Sequence, residues 1–252
     1  MFVDTHCHIF NADYTNISKV LDDAKTNDVN YIINNGSNDK TNNEVLDLIK
    51  KYPNMYGAIG IHPEDVSDAT KENIKFIEEN LNNEKIVAIG EIGLDYYYTK
   101  DNKEKQIELF ESQLKLAEKY NMPVIVHTRD ATKDTIDSLK KFKCVGVIHS
   151  FSGSLETAKI YIKMGYLLGV NGIITFKNAK IKDVIKEVGL NNIVLETDSP
   201  YLTPEPFRGS QNNPGHIIEI AKFIADLYGV SLKEISKITN ENIKRMYKKM
   251  TI

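Results

Sequence analysis

Eight short apolar runs separated by segments of helical period constrain this chain more than any other feature. They are Phe2 to Thr5, Tyr31 to Asn34, Met55 to Ile61, Ile86 to Ile89, Pro123 to Val126, Val145 to Ile148, Tyr166 to Val170 and Ile193 to Leu195. Runs this short and this apolar suit strands buried on both faces, as in a parallel sheet covered by helices. Between them, Val45, Leu48, Ile49 and Tyr52 fall on one helical face, as do Ile107, Phe110, Leu114 and Ala117. Ser154 and the pair Ser231 with Glu234 mark helix starts, while Gly165, Gly189 and Gly229 mark ends. The first gap is the poorest, with only Ile17, Val20, Leu21 and Ala24. Strand and helix alternate eight times without a linker, repeat or low-complexity break, so residues 1–252 are expected to form one α/β domain. Eight units favour closure into a (β/α)8 TIM barrel, for which 252 residues is an ordinary length. An open doubly wound sheet is the competing arrangement, but no Gly-rich phosphate fingerprint follows the first run.

The strand ends carry the chemistry. His6 and His8 close the first run, His62 follows the third, Glu91 the fourth, His127 the fifth, His149 the sixth and Asp198 the eighth. In a barrel these carboxyl ends form one mouth, so residues far apart in sequence converge there. Alternation along each strand is compatible with this: Val87, Ile89 and Glu91 share a parity, as do Ile125 with His127, Val145 and Val147 with His149, and Val194 and Glu196 with Asp198. His6 and His8 likewise share one, which turns Cys7 into the helix layer. Taken singly, each has an ordinary reading: Glu91 as a loop acid, the histidines as core groups, Asp198 before Ser199-Pro200 as a turn acid. Together, unpaired, they would bury costly polar groups in one place, and a metal centre removes that cost.

Four imidazoles and two carboxylates exceed one tetrahedral site and divide into two that share a ligand. His6, His8 and Asp198 would hold one divalent ion, and His127 and His149 the other. Glu91 would bridge them at the separation of about 3.5–4 Å usual for such pairs. Two divalent ions acidify a shared water and polarise a phosphoryl or carbonyl oxygen, which makes hydrolysis the expected reaction. Asp198 would orient that water or accept its proton. Asp4 and Glu196, one strand step below His6 and Asp198, are either acceptors for ligand imidazoles or ordinary interior acids. The donor types admit Zn²⁺, Mn²⁺, Fe²⁺, Co²⁺ or Mg²⁺.

Composition narrows the rest. A formal charge of −3 provides no global basic field, so a polyanion would need a local patch. Cys7 and Cys144, the only cysteines, have no paired spacing and suit a reducing compartment. The chain opens directly into a strand with no basic, apolar leader, and no run approaches a membrane span, so a cytoplasmic protein is expected. Abundant Asn and Lys scatter over polar faces and form no tract.

The segments Asp4-Thr5-His6-Cys7-His8, Gly60-Ile61-His62-Pro63, Gly90-Glu91-Ile92-Gly93-Leu94-Asp95-Tyr96, Pro123 to Arg129, His149-Ser150-Phe151-Ser152-Gly153 and Glu196 to Leu202 follow in an order and local context that resembles the TatD-like metal-dependent deoxyribonucleases of the amidohydrolase superfamily. The resemblance runs nearly end to end. It implies a TIM barrel, two catalytic divalent ions on the residues above, and 3′-to-5′ exonuclease activity on DNA, best on single strands. It implies too that Glu91 replaces the carboxylated lysine that bridges metals in other branches, that His62 joins Glu91 and Asp198 in catalysis, and that Arg208 and Asn212 meet substrate. After the last strand the family usually reads Arg-Gly, two basic residues, then Asn-Glu-Pro, whereas here Arg208-Gly209 is followed by Ser210-Gln211-Asn212-Asn213-Pro214. The intervening bases and the Glu are missing.

His62, Arg129, Lys177 and Arg208 follow strands three, five, seven and eight and would rim the mouth with positive charge. Tyr96, Tyr97 and Tyr98 would stack a terminal base. His216 reads as a helix residue without a part in the site. Two other functions fit the same residues. The same ions would open a small cyclic amide, a lactone or a phosphotriester in a deep closed pocket. A barrel with structural metals would act as a binding partner only.

Overall fold

The computed structural model describes residues 1–97 and 101–252. Tyr98 therefore lies outside the described residues. Strands β1 (Phe2–Cys7), β2 (Val29–Asn35), β3 (Met55–Ile59), β4 (Ile86–Asp95), β5 (Val124–Arg129), β6 (Gly146–Ile148), β7 (Leu167–Val170) and β8 (Ile193–Leu195) pair in parallel in sequence order. Helices α1 (Ile17–Thr26), α2 (Asp39–Lys51), α3 (Lys71–Asn80), α4 (Lys103–Tyr120), α5 (Thr132–Leu139), α6 (Leu155–Lys163), α7 (Ile181–Val188), α8 (Ile217–Tyr228) and α9 (Leu232–Met246) surround them. This is the (β/α)8 barrel expected. Ser154 and Ser231 cap α6 and α9 by accepting from Thr157 and Glu234 N–H, and Gly229 ends α8 in the left-handed conformation.

Two apolar layers follow from strand alternation. Val3, Ile33, Val87, Ile125, Val147, Leu167 and Val194 fill the barrel, whose lower end is plugged by Met246, Tyr247 and Met250 at the end of α9. Cys7 and the larger set pack between strands and helices. Burying each large side chain contributes roughly 1.5–3 kcal/mol.

The seam between β1 and β8 is joined by mixed contacts. Asp198 N–H donates to His6 O at 2.9 Å and His8 N–H to Ser199 O at 2.7 Å. Asp4 accepts from Thr197 N–H at 2.9 Å and from its hydroxyl at 2.5 Å. Asp4 thus ties the first strand to the last and makes no contact with a ligand imidazole. Burial, against these Thr197 hydrogen bonds, pushes its carboxyl up to about 8.

β4 departs from the parity argument. Ile89 pairs beside Val124 and packs in the outer layer, so it does not share a face with Glu91. Between Ile89 and Ile92 the ladder gains an extra residue, and this bulge turns Glu91 inward again. The strand also runs on to Asp95, further than its apolar run, because Ile92 and Leu94 face the helices while Gly93 and Asp95 pair with His127 and Arg129. At Gly93, with φ +150°, a Cβ would stand 1.9 Å from His127 O, so only glycine permits this approach.

Candidate metal centre

The strand ends deliver their side chains to one open cleft of about 300 Å³, lined by His8, His62, Glu91, His127, His149 and Asp198 among others. His6 Nε2 and His8 Nε2 stand 3.0 Å apart. Glu91 Oε2 lies 3.4 Å from the first and 3.5 Å from the second, and Asp198 Oδ1 lies 3.6 and 3.5 Å from them. The other oxygen, Glu91 Oε1, faces a different set: His127 Nδ1 at 3.0 Å, His62 Nε2 at 3.7 Å and His149 Nε2 at 3.8 Å. His149 Nε2 is also 3.8 Å from Asp198 Oδ1, between the two sets. Donors about 3.3 Å apart are the edges of a tetrahedron with bonds of about 2.0–2.1 Å. The first set matches that spacing, and among the described residues no lysine or arginine lines the cleft to balance its acids. The residues present fit a divalent cation.

The protons on these rings are placed by their neighbours. His8 Nδ1 is 2.9 Å from Asn35 O and must donate to it, leaving Nε2 free to bind. His149 Nδ1 is paired with Glu196 Oε1 at 3.0 Å, off the line of an ideal hydrogen bond, and this again turns Nε2 to the cleft. His127 is reversed: Nε2 meets Asp95 Oδ2 at 3.0 Å, and Nδ1 faces Glu91. His62 differs from all of these. Its Nδ1 accepts the Glu64 N–H at 3.2 Å, so Nε2 carries the proton into the cleft. Although His62, Glu91 and His127 lie close enough to hold an ion, His62 in this tautomer is a hydrogen-bond donor. The close group of His6, His149 and Glu196 uses the opposite ring edges, beneath the cleft.

Charge follows from the same contacts. Burial works to lower His127, but Asp95 and Glu91 outweigh it and push it up to about 9. Burial opposes His149 too, yet Glu196, Asp198 and Glu91 bring it up to about 10. Burial takes His62 down to about 3 and lowers His6. Glu91 would be raised by burial, but His149, His6 and His62 hold it well below the usual carboxylate range.

Of the groups that hold these residues, sequence reasoning offered Glu196, which meets His149, and missed the others. Asp95 shares the inward face of β4 with Glu91, which was the available signal. Gln106 and Gln113, seven apart on the buried face of α4, grip backbone from both sides. Gln106 accepts from Asp95 N–H and donates to Asp95 O, at 2.9 and 2.8 Å. Gln113 does the same at Ile61, at 2.8 and 3.1 Å, and so sets the approach to His62. Asn34 clamps Ile9 beyond His8 in the same way.

Two residues expected at substrate are placed elsewhere. Asn212 is 0% exposed: its amide donates to Thr197 O and Tyr201 O, while its oxygen accepts from Asn213 N–H and pairs with His216 Nδ1. It fastens the loop after β8, and His216 takes part in that fastening. Tyr96 is 3% exposed, with its hydroxyl on Asp134 and Lys103 over its ring, so no base can stack there. Tyr97, 57% exposed, is covered on one face by Arg129, and exposed Arg208 lies over Phe176. Arg129 at the end of β5, and Lys177 and Arg208 beyond β7 and β8, are exposed and lie outside the cleft itself. Among the described residues, no helix is long and apolar enough to cross a membrane.

Comparison with known proteins places the chain in a family. The family model described as TatD related DNase matches residues 3–248. A Bacillus subtilis protein named "uncharacterized metal-dependent hydrolase YabD" is 41% identical over 253 residues, covering 98% of this chain and 99% of its own. An Escherichia coli protein named "uncharacterized metal-dependent hydrolase YcfH" is 36% identical, covering 97% and 95%. The crystal structure of the Escherichia coli TatD homologue YjjV superposes with a TM-score of 0.89 at 32% identity, over 98% of each chain.

Proposed function

The chain belongs to the TatD related DNase family, and from that premise we propose that it is a metal-dependent hydrolase that cuts DNA phosphodiester bonds, removing nucleotides from the 3′ ends of single strands. The observation that carries the reading is the division of Glu91, whose two oxygens face two separate donor sets. That division supports two divalent ions, Mg²⁺, Mn²⁺ or Zn²⁺: one on His6, His8 and Asp198, one on His127 and His149, with Glu91 shared. Such ions supply Lewis acidity to a phosphoryl oxygen and acidify water. Asp198 opens onto the cleft and accepts the proton of the attacking water. His62 donates its Nε2–H to a phosphate oxygen, and because it is held neutral it keeps that role across the working pH range. Asp95, Glu196 and Asn35 O keep the ring protons away from the ligand edges.

An open cleft edged by exposed Tyr201, with Tyr97 and Phe207 also exposed after β4 and β8, suits a strand better than a small closed-pocket substrate. Arg129 and Arg208 flank it as phosphate partners. The buried free thiols Cys7 and Cys144 fit a reducing compartment, and the cytoplasm is the proposed location.

End-labelled single strands incubated with the protein and each divalent ion test the reading directly. Stepwise shortening is expected, and Glu91→Ala should lower it by about a thousandfold or more while the far-ultraviolet spectrum stays that of the folded barrel. Shortening that survives chelation, or that the variant retains, refutes it.

A further inference from the structure

Charge is unevenly distributed around the mouth. The strands run around the barrel in sequence order, so each loop has a fixed place on the rim. The exposed cations Arg129, Lys177 and Arg208 lie on the arc from β5 to β8, while exposed Lys19 and Lys40, near the starts of α1 and α2, line neighbouring hollows and not this cleft. Over β1 to β3 the cleft is lined instead by Asp13 and Glu64, with Ser37 and Thr41 between them. Neither of these exposed carboxylates meets a cation among the described residues. Burial and the negative charge of Asp95 raise Glu64, and Tyr201 is raised by burial together with Asp13, Asp198 and Glu64. Tyr201 therefore stands among these acids, 60% exposed, at the edge of the same cleft.

At the N-terminus of α2, Ser37 and Asn38 N–H both donate to Thr41 Oγ1, and Thr41 N–H to Asn38 Oδ1, so these three donors are turned away from an anion. His62, held neutral, adds no cation either.

A phosphodiester chain leaving the metal centre is repelled on one arc and attracted on the other. We propose that the arc over β1 to β3 is the subsite for the terminal nucleoside of the strand, and that Asp13 and Glu64 select an end bearing a free sugar hydroxyl and reject one bearing a phosphate. A terminal nucleoside carries no phosphate beyond the scissile one, so it alone can occupy this arc without like-charge contact. Its base stacks on the Tyr201 ring, its hydroxyl donates to a carboxylate, and the remaining phosphates run toward Arg129, Lys177 and Arg208. A terminal phosphate dianion about 6 Å from one carboxylate is disfavoured about tenfold even at the dielectric of bulk water, and two carboxylates multiply the effect. The selectivity comes from repulsion of the wrong end.

This subsite rests on the DNase reading above, and the test separates the two. The metal-loaded protein is given two 5′-labelled single strands of identical sequence, one ending in a 3′-hydroxyl and one in a 3′-phosphate, and initial rates are compared. The hydroxyl strand should be shortened at least tenfold faster, and the ratio should narrow in 0.5 M salt as the repulsion is screened. In the double variant Asp13→Asn, Glu64→Gln the ratio should fall toward one, whatever happens to the absolute rates. Equal rates with the unaltered protein, or an unchanged ratio in the variant, overturn the subsite while leaving the DNase reading intact. Failure to shorten either strand overturns both.

Discussion

Loading the centre with metal should expel protons, and the number follows from the environment of each ring. Each ligand nitrogen must be free of its proton before it can bind a cation. In the metal-free protein His127, at about 9, and His149, at about 10, are both more than about 95% protonated at pH 7.5. His6 and His62 are lowered by burial and are already neutral, while Glu91 and Asp198 are held ionised by the surrounding imidazoles. His8 is raised despite its burial, by Asp198 and Glu91, and supplies part of a third proton. Filling both positions at pH 7.5 should therefore release between two and three protons per chain.

Calorimetric titration with Zn²⁺ or Mn²⁺ in buffers of different ionisation enthalpy reads that number directly. Asp95→Asn removes the first group that raises His127 and should cut the release by about one proton. The linkage has a stability counterpart. Because the folded values of His127 and His149 lie above the unfolded value of about 6.5, their contacts contribute fully below that pH and are lost as pH climbs through about 9 to 10. The metal-free barrel should then lose melting temperature between pH 7 and 10, and the loaded protein should not lose it for this reason. A release near zero at pH 7.5, or one that Asp95→Asn leaves unchanged, would refute the assignment of charge in the cleft.

Three further outcomes can be checked with single substitutions. At Gly169 a Cβ would lie 2.2 Å from Glu196 Oε2, so Gly169→Ala should displace the carboxylate paired with His149 and weaken metal affinity by about 10- to 100-fold, measured by chelator competition. Replacing His62 with Ala should lower kcat on single strands with metal content, read by atomic absorption, unchanged; loss of one bound ion would instead make His62 a ligand. Asn212→Ala should cost about 2–4 kcal/mol, since it strands buried partners on four sides, and thermal unfolding should fall by several degrees, whereas an unshifted transition would show the loop is held otherwise.

The barrel was legible because the strands are apolar on both faces and the helices are punctuated by residues with fixed backbone preferences, as at Ser154 and Gly229. The six ligand candidates were legible for a related reason: an imidazole or carboxylate closing an apolar run has no ordinary explanation when the same thing happens at five strand ends. What could not be read is how β4 turns Glu91 inward. Ile89 looks like an interior residue by strict alternation, and only pairing with both neighbours reveals the bulge that changes its face. Buried amides were equally hidden. Gln106 and Gln113 interrupt the apolar face of α4 and look solvent-exposed until the strand-end backbone they grip is in place. Asn212 was misread because a polar residue in a loop next to Arg208 has the composition of a substrate contact, while its four partners come from chain on either side of it.

The ordering of charge around Glu91 would let a chain of net charge −3 act on the polyanion proposed as its substrate. Glu91, Asp95 and Asp198 are held ionised, and with the two imidazoliums of His127 and His149 these five groups sum to one negative charge in the metal-free state, to which Glu196, Asp13 and Glu64 add carboxylates. Exchange of the protons on the two imidazoliums for two divalent ions adds two positive charges, so phosphate is repelled less at the centre after loading than before it. Metal and substrate then favour each other's binding, as linkage requires, without a lysine or arginine among the described residues of the cleft wall. Asp13 and Glu64 are not neutralised by this exchange, since neither lies among the donor groups. The loaded mouth therefore keeps one repellent arc beside a centre made more favourable to phosphate, and a strand can satisfy both only if its uncharged end lies over the first and its scissile phosphate over the second. On the proposed reading, that charge pattern would hold the enzyme to strand ends by electrostatics, with no wall needed to block the interior of the polymer.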